Sequence, residues 1–319
     1  MKLGKDRLHE LVAFVEPGSD DITYTHAVFA QCFLPLRRIP NGGKRYEVRH
    51  GRAALLITAG DLLNPATQEF VQMDVPSGSA ARIALAHINN HIIRSKTREE
   101  ALTVPMGESL RDFMDYQGLA IGGKNGKEIA RQIHNLAAAR IVLGVWTDDR
   151  ARQINAQIAD AIDFWLERDR RQRSLWQPVM RVSERYAEAI REHCVPHDMR
   201  ALVGLYESTR AMDIYTWLAY RLPRVKERTD ILVRFDDLKP IFGSGVKDTY
   251  NFRHAFKGAL VEAMRWYPQG RIGLEKDGLR LFHSPSPVPL DLCRSPYGRT
   301  IAGGRRRLTL IKASPARDT

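Results

Sequence analysis

Cysteine is scarce: three residues in 319, at positions 32, 194 and 293, with no Cys-x-x-Cys pair. An odd, scattered set excludes a disulfide framework and a zinc finger, and it suits a reducing compartment. Long apolar runs are also missing. None approaches the roughly 20 residues of a membrane-spanning helix, and the first ten residues lack an apolar signal core. A soluble, cytoplasmic protein without membrane contact is expected. Carboxylates are the minority charge, 37 Asp and Glu against 49 Lys and Arg, for a formal net charge of +12. That deficit favours a polyanionic partner, foremost nucleic acid, with solubility alone as the competing reading.

Two familiar chemistries are absent on close inspection. The stretch from Gly122 to Glu128 invites a phosphate-loop reading. No glycine stands five positions before Gly126, however, and Glu128 replaces the required Ser or Thr. His87 and His91 lie four apart on an expected helix, a spacing that suits a metal. The intervening residues are Ile-Asn-Asn, so the glutamate base of a zinc protease is missing. No cofactor and no metal site is expected.

What is present is a repeated logic of short helix, Gly-rich turn and longer helix. Residues 1–22 read as a polar, flexible arm. Strands are expected at 28–35, 52–57 and 69–75, with a basic loop at 37–45 between the first two. A helix starts near Ser77 or Ser79, which can cap it. A short strand at 101–105 and a helix at 109–117 follow, the latter closed by Gly118. The next helix, 124–139, buries Ile129, Ile133 and Leu136, and it turns Lys124, Lys127, Arg131 and His134 outward.

Residues 140–146 read as the first strand of a wing. Residues 152–166 fit either a helix or a strand, and 176–182 beyond them supply an antiparallel partner that favours the strand. The charged run at 167–173, ending in Arg173, is a solvated hairpin tip or a wing tip lying on phosphates. Pro196-His197-Asp198 breaks the chain, so a boundary is placed near 194. A strongly amphipathic helix at 210–222 and a strand at 231–235 lead to the second copy of the logic. There, on a wheel of 100° per residue, Phe252, Ala255, Phe256, Ala259, Ala263 and Trp266 share one face. Tyr250, His254, Lys257 and Arg265 take the other, with Arg253 at its edge and Lys247 in the preceding turn. A helix seated on an aromatic seam with a basic outer face suits a major groove; a solvated surface helix is the alternative. Order should fail past the stretch Ser284-Pro-Ser-Pro-Val-Pro289, and the tail carries Arg305-Arg306-Arg307.

These residues carry a resemblance. Residues 211–222, Ala-Met-Asp-Ile-Tyr-Thr-Trp-Leu-Ala-Tyr-Arg-Leu, resemble the plasmid RepA-type replication initiators. So do the Phe242-Gly243 turn, the Phe252 and Phe256 helix, Trp266-Tyr267-Pro268 and residues 278–285. Residues 76–82, 94–98 and 109–114 are similar to the N-terminal part of the same family. The resemblance spans residues 25 to 287. It implies an α+β fold of two tandem winged-helix domains, at 23–193 and 194–287, followed by a basic flexible tail at 288–319.

It further implies a non-enzymatic initiator that binds repeated double-stranded plasmid origin DNA. Such an initiator opens an adjacent AT-rich region, recruits host replicative helicase and initiator proteins, and represses its own promoter. A homodimer in equilibrium with a monomer belongs to the same expectation, with Leu55, Leu56 and Ile57 as candidate edge residues. Phosphate contacts are expected from Lys124, Lys127, Arg173 and Arg305, and base contacts from Tyr250, Arg253, His254 and Lys257. A winged-helix transcription regulator without a replication role needs the same contacts. A nicking enzyme is disfavoured, because no His-x-His occurs and Tyr24, Tyr215 and Tyr250 have no evident metal partner.

Overall fold

The computed structural model describes residues 16–64, 67–107, 110–119, 123–163, 179–243, 245–246 and 248–293. In chain order, β1 (Ile22–His26) is followed by the hairpin β2 (Arg45–His50) and β3 (Ala53–Thr58). A second hairpin, β4 (Asp61–Asn64) and β5 (Glu69–Gln72), comes next. Then come α1 (Gly78–Arg94), α2 (Arg98–Leu102), β6 (Thr103–Pro105), α3 (Leu110–Tyr116) and α4 (Gly123–Ala138). Strands β7 (Arg140–Trp146), β8 (Ala151–Gln157), β9 (Ala159–Ile162) and β10 (Val179–Val182) precede α5 (Glu184–His193) and β11 (Cys194–Asp198). The remainder comprises α6 (Met199–Gly204), α7 (Thr209–Arg221), β12 (Asp230–Arg234), α8 (Phe235–Phe242), α9 (Thr249–Arg265), β13 (Ile272–Leu274) and β14 (Gly278–Phe282). The chain is α+β.

Two three-stranded sheets share one order. In the first, β6 pairs with β10, which pairs with β9; in the second, β12 pairs with β14, which pairs with β13. In each the last strand in sequence is central, and a helix, a strand and two further helices precede the closing hairpin. Met180 faces Val104 on one side and Ile162 on the other. Leu279 likewise faces Val233 and Leu274.

Between α4 and β9 the first unit carries an insertion, the hairpin β7–β8. It joins β2 and β3 in a four-stranded antiparallel sheet of order β2-β3-β7-β8. Period-2 alternation sends Ala53, Leu55 and Ile57 into the core and leaves Ala54, Leu56 and Thr58 half-buried.

Several sequence expectations are corrected here. Residues 140–146 belong to the four-stranded sheet, and the hairpin that closes the first three-stranded sheet is β9–β10 instead. The ambiguous stretch 152–166 is extended where described. It serves two sheets, breaking at Ile158, because Ile154 pairs with Leu143 whereas Ile162 pairs with Met180. Residues 28–35 form turns, not a strand: Ala30 N–H donates to His26 O and Cys32 N–H to Val28 O. Burial there is nearly continuous, which gives no periodicity to separate turn from strand. Leu55 and Ile57 are no edge residues, since β3 is flanked on both sides. The first residues of the expected flexible tail, 288–293, are instead packed, with Val288 and Cys293 buried.

The core is continuous across the boundary expected near 194. Strand β11 ladders with β1, placing Thr25 opposite Val195 and His26 opposite Cys194. Helix α7 is buried from Ala211 through Ala219, as a helix enclosed on all sides must be. Phe242 packs on Trp217 at 5.6 Å, on Phe256 at 5.6 Å and on Phe33 at 5.4 Å between ring centroids. Phe33 thus carries the first unit into the second unit's aromatic cluster. Arg82 of α1 forks onto Asp213 of α7 at 2.5 and 2.7 Å. Breaking that enclosed pair would strand a buried carboxylate at a cost of about 3–5 kcal/mol.

Candidate nucleic-acid interface

Helix α9 is built to hold one face down and leave the other open. Its cap is Asp248, whose Oδ2 accepts from Asn251 N–H at 2.9 Å. That bond, the largest influence on it, holds the Asp248 carboxyl below its ordinary range. The preceding helix stops at Gly243. A Cβ there would lie 2.5 Å from Lys239 O and 3.1 Å from Phe252 Cδ2, so only glycine allows this approach. Arg210 Nε satisfies the carbonyl of Phe242 at 2.8 Å. Phe252, Phe256, Ala259, Leu260 and Ala263 are buried.

The outer face carries Tyr250, His254, Lys257, Val261 and Arg265, spaced four, three, four and four residues apart in a single stripe. Tyr250 is 76% exposed and Val261 58%. Among the described residues, His254 and Lys257 have no carboxylate partner. Arg253 is half-buried at the margin of the stripe, its guanidinium 5.1 Å over the Phe235 ring. Asn251 and Val261 are exposed on this face and were not picked out by a search for basic and aromatic residues, although the helical wheel contains them.

Helix α4 repeats the architecture with a different outcome. Lys127 is exposed, and Lys124 lies in the first turns, its side chain not among those described. Arg131 grips Glu128, with Nη2–Oε1 at 2.7 Å and Nε–Oε2 at 3.0 Å, and reaches Asp74 at 3.5 Å. Asp74 also takes Arg38 at 2.9 Å and Lys44 at 3.1 Å. Burial opposes its ionisation, but the Lys44 hydrogen bond and Arg38 together hold the carboxyl below its ordinary range. Gln132 receives Ser77 N–H at 2.9 Å, and Asn135 receives Asp74 N–H at 3.2 Å. His134 is half-buried, and burial lowers its pKa. Of the outward residues of α4, Arg131 is therefore engaged within the protein and His134 half-buried, while Lys127 is exposed.

The hairpin after α9 offers no basic surface either. The β13–β14 turn contains Glu275, Lys276 and Asp277, and Arg280 is bound by Glu275 and Asp230. An acidic turn is a poor match for phosphates. Arg173, Lys247 and Arg305 lie outside the described residues. The two histidines at metal spacing meet carbonyls: His87 Nε2 lies 2.9 Å from Pro105 O and His91 Nε2 2.8 Å from Glu100 O. Among the described residues no cluster of His, Cys, Asp or Glu could hold a metal ion, and no helix is long and apolar enough to cross a membrane.

The family described as plasmid encoded RepA protein matches residues 75–236, just over half of the chain. The chain belongs to that family. The matched stretch runs from the start of α1 into α8, so α9 lies beyond it. No curated protein matches the chain. Two crystal structures of domains 2 and 3 of RctB, one of them a selenomethionine form, superpose with a TM-score of 0.49 and 9% identity. They cover 80% and 81% of this chain and 96% and 97% of theirs.

Proposed function

We propose that the chain is a non-enzymatic plasmid replication initiator that reads repeated duplex sequences at its origin with α9. The single observation that carries this reading is the stripe of Tyr250, His254, Lys257, Val261 and Arg265. Among the described residues its His254 and Lys257 stand without carboxylate partners, above a seam of buried phenylalanines. A helix so mounted enters a major groove, and a net charge of +12 draws it to the polyanion.

The shared strand order of the two small sheets supports a reading of two tandem winged-helix units, with the β7–β8 hairpin inserted into the first. In this reading Asn251 suits adenine, Val261 suits a thymine methyl and the edge residue Arg253 forks to guanine. Lys127 of α4 adds a phosphate contact. Bound protomers open adjacent AT-rich DNA and recruit host helicase and initiator proteins, and a dimer exchanges with the origin-binding monomer.

Duplexes tiling the replicon, titrated by fluorescence anisotropy, test the DNA step. Arg253→Ala should relax base preference by about 1–3 kcal/mol, whereas Lys127→Ala should weaken every duplex alike and shallow the salt slope by about 1. Equal losses on all sequences for both variants contradict this division. Deleting the gene and supplying it in trans tests initiation. Plasmid retention without the protein would instead favour a transcription regulator, and a covalent protein–DNA adduct formed with Mg²⁺ would favour a nicking enzyme.

A further inference from the structure

One basic side chain crosses from the first unit to the turn that introduces α9. The turn bends at Gly245, with φ +78°, and a Cβ placed there would lie 2.7 Å from Arg37 Nη2 and 3.6 Å from its Cζ and Nε. The Arg37 guanidinium therefore rests on the bare face of this glycine. It belongs to the loop between β1 and β2, far away in sequence. The loop is pinned at both ends: Pro35 O accepts Gly78 N–H at 3.0 Å, and Lys44 Nζ donates to Met73 O at 2.7 Å.

Neighbouring arginines in this loop have opposite commitments. Arg38 is bound to Asp74 at 2.9 Å. Arg37 is exposed and, among the described residues, has no carboxylate partner. Of the acidic groups near the turn, Asp213 holds Arg82 and Asp248 caps α9, while Asp236 is exposed in the groove it shares with Gly243 and Thr249. A second guanidinium, that of Arg210, serves the last carbonyl of α8. Two cations converge on one exposed turn, and a planar fork matches a phosphodiester.

We propose that Arg37 is a DNA-binding residue contributed by the first unit to the second unit's interface, seating one backbone phosphate beside the turn that leads into α9. This rests on the reading of α9 as the groove helix. It makes the interface composite: the second unit supplies base contacts, and a loop of the first fixes their register on the backbone.

The test uses the full chain and the duplex preferred in the tiling experiment, with anisotropy titrations at several salt concentrations. Arg37→Ala should bind roughly tenfold more weakly and shallow the salt slope by about 1, with the same ranking of sequences. Arg37→Lys should recover part of the affinity, and Arg38→Ala should leave it nearly unchanged. Thermal unfolding of each variant separates binding loss from misfolding. If Arg37→Ala keeps wild-type affinity and slope on a duplex that the wild type still prefers, the inference falls and the α9 reading stands. If the wild type prefers no duplex, or His254→Ala with Lys257→Ala leaves its preference intact, the α9 reading falls and this inference with it.

Discussion

Helices α4 and α9 are built on one plan, yet they use their outer faces in opposite ways. Each follows a short helix and a glycine-bearing turn, and each buries an apolar seam. On α4 the outward Arg131 is engaged by Glu128 and Asp74, Gln132 and Asn135 bind backbone amides, and Lys127 alone among the described cations stays open. Among the described residues, α9 has no such counter-charges beside His254 and Lys257. The difference teaches that a basic helical face in a sequence is only a count of cations. Whether they are available depends on carboxylates brought in from elsewhere, here Asp74 from the segment before α1.

The largest break in the comparison comes from unseating α9. Phe256 is fully buried against Phe235, Phe242 and Phe252. Phe256→Ala should cost about 3–5 kcal/mol in urea unfolding, and sequence preference should go with it. The equivalent cut in α4, Ile133→Ala, should cost about 2–5 kcal/mol while the folded fraction keeps its preference.

Acid asks whether both helices stand on one frame. His26 and His197 are buried in the β1–β11 ladder, and burial, the main cause, lowers both to about 3. The unfolded chain therefore takes up these protons first. Stability is complete above about pH 6.5 and falls as the pH drops toward 3, by about 2 kcal/mol per histidine at pH 5. Urea curves at pH 7 and pH 5 should show one transition shifting as a unit. Two transitions separating at pH 5 would mean that the units are independent.

The smallest effect sharpens the contrast most directly. Glu128 and Arg131 are each more than a third exposed, so Glu128→Gln should cost under about 1 kcal/mol of stability. It should also release Arg131 and raise affinity for unrelated duplexes a few-fold. Unchanged affinity would show that the cations of α4 are not limited by their carboxylates.

Much of this was legible beforehand. Helices α1, α4, α7 and α9 follow their apolar periodicity to within a residue or two at most ends, and Gly118 stops α3 with φ +69°. The seam of α9 was readable because Phe252, Phe256, Ala259 and Ala263 recur at helical spacing. Strand β2 was not read, although Tyr46 and Val48 alternate with Arg45, Glu47 and Arg49 at the spacing of a half-buried strand. The insertion of β7–β8 was invisible because strand 140–146 carries no mark of which sheet it joins. Partners distant in the chain were likewise beyond local reading: Asp74 on Arg131, Arg82 on Asp213 and Arg37 on Gly245.

The β1–β11 ladder also sets an order of events during synthesis. Residues 22–26 leave the ribosome long before residues 194–198, and at 5–20 residues per second the wait is on the order of ten seconds or more. For that interval Ile22 and Tyr24, almost fully enclosed in the finished protein, have no strand to pair with. In that interval β1 is held on one side by α1, through Asn89 Nδ2 on Tyr24 O, while its other edge waits for β11.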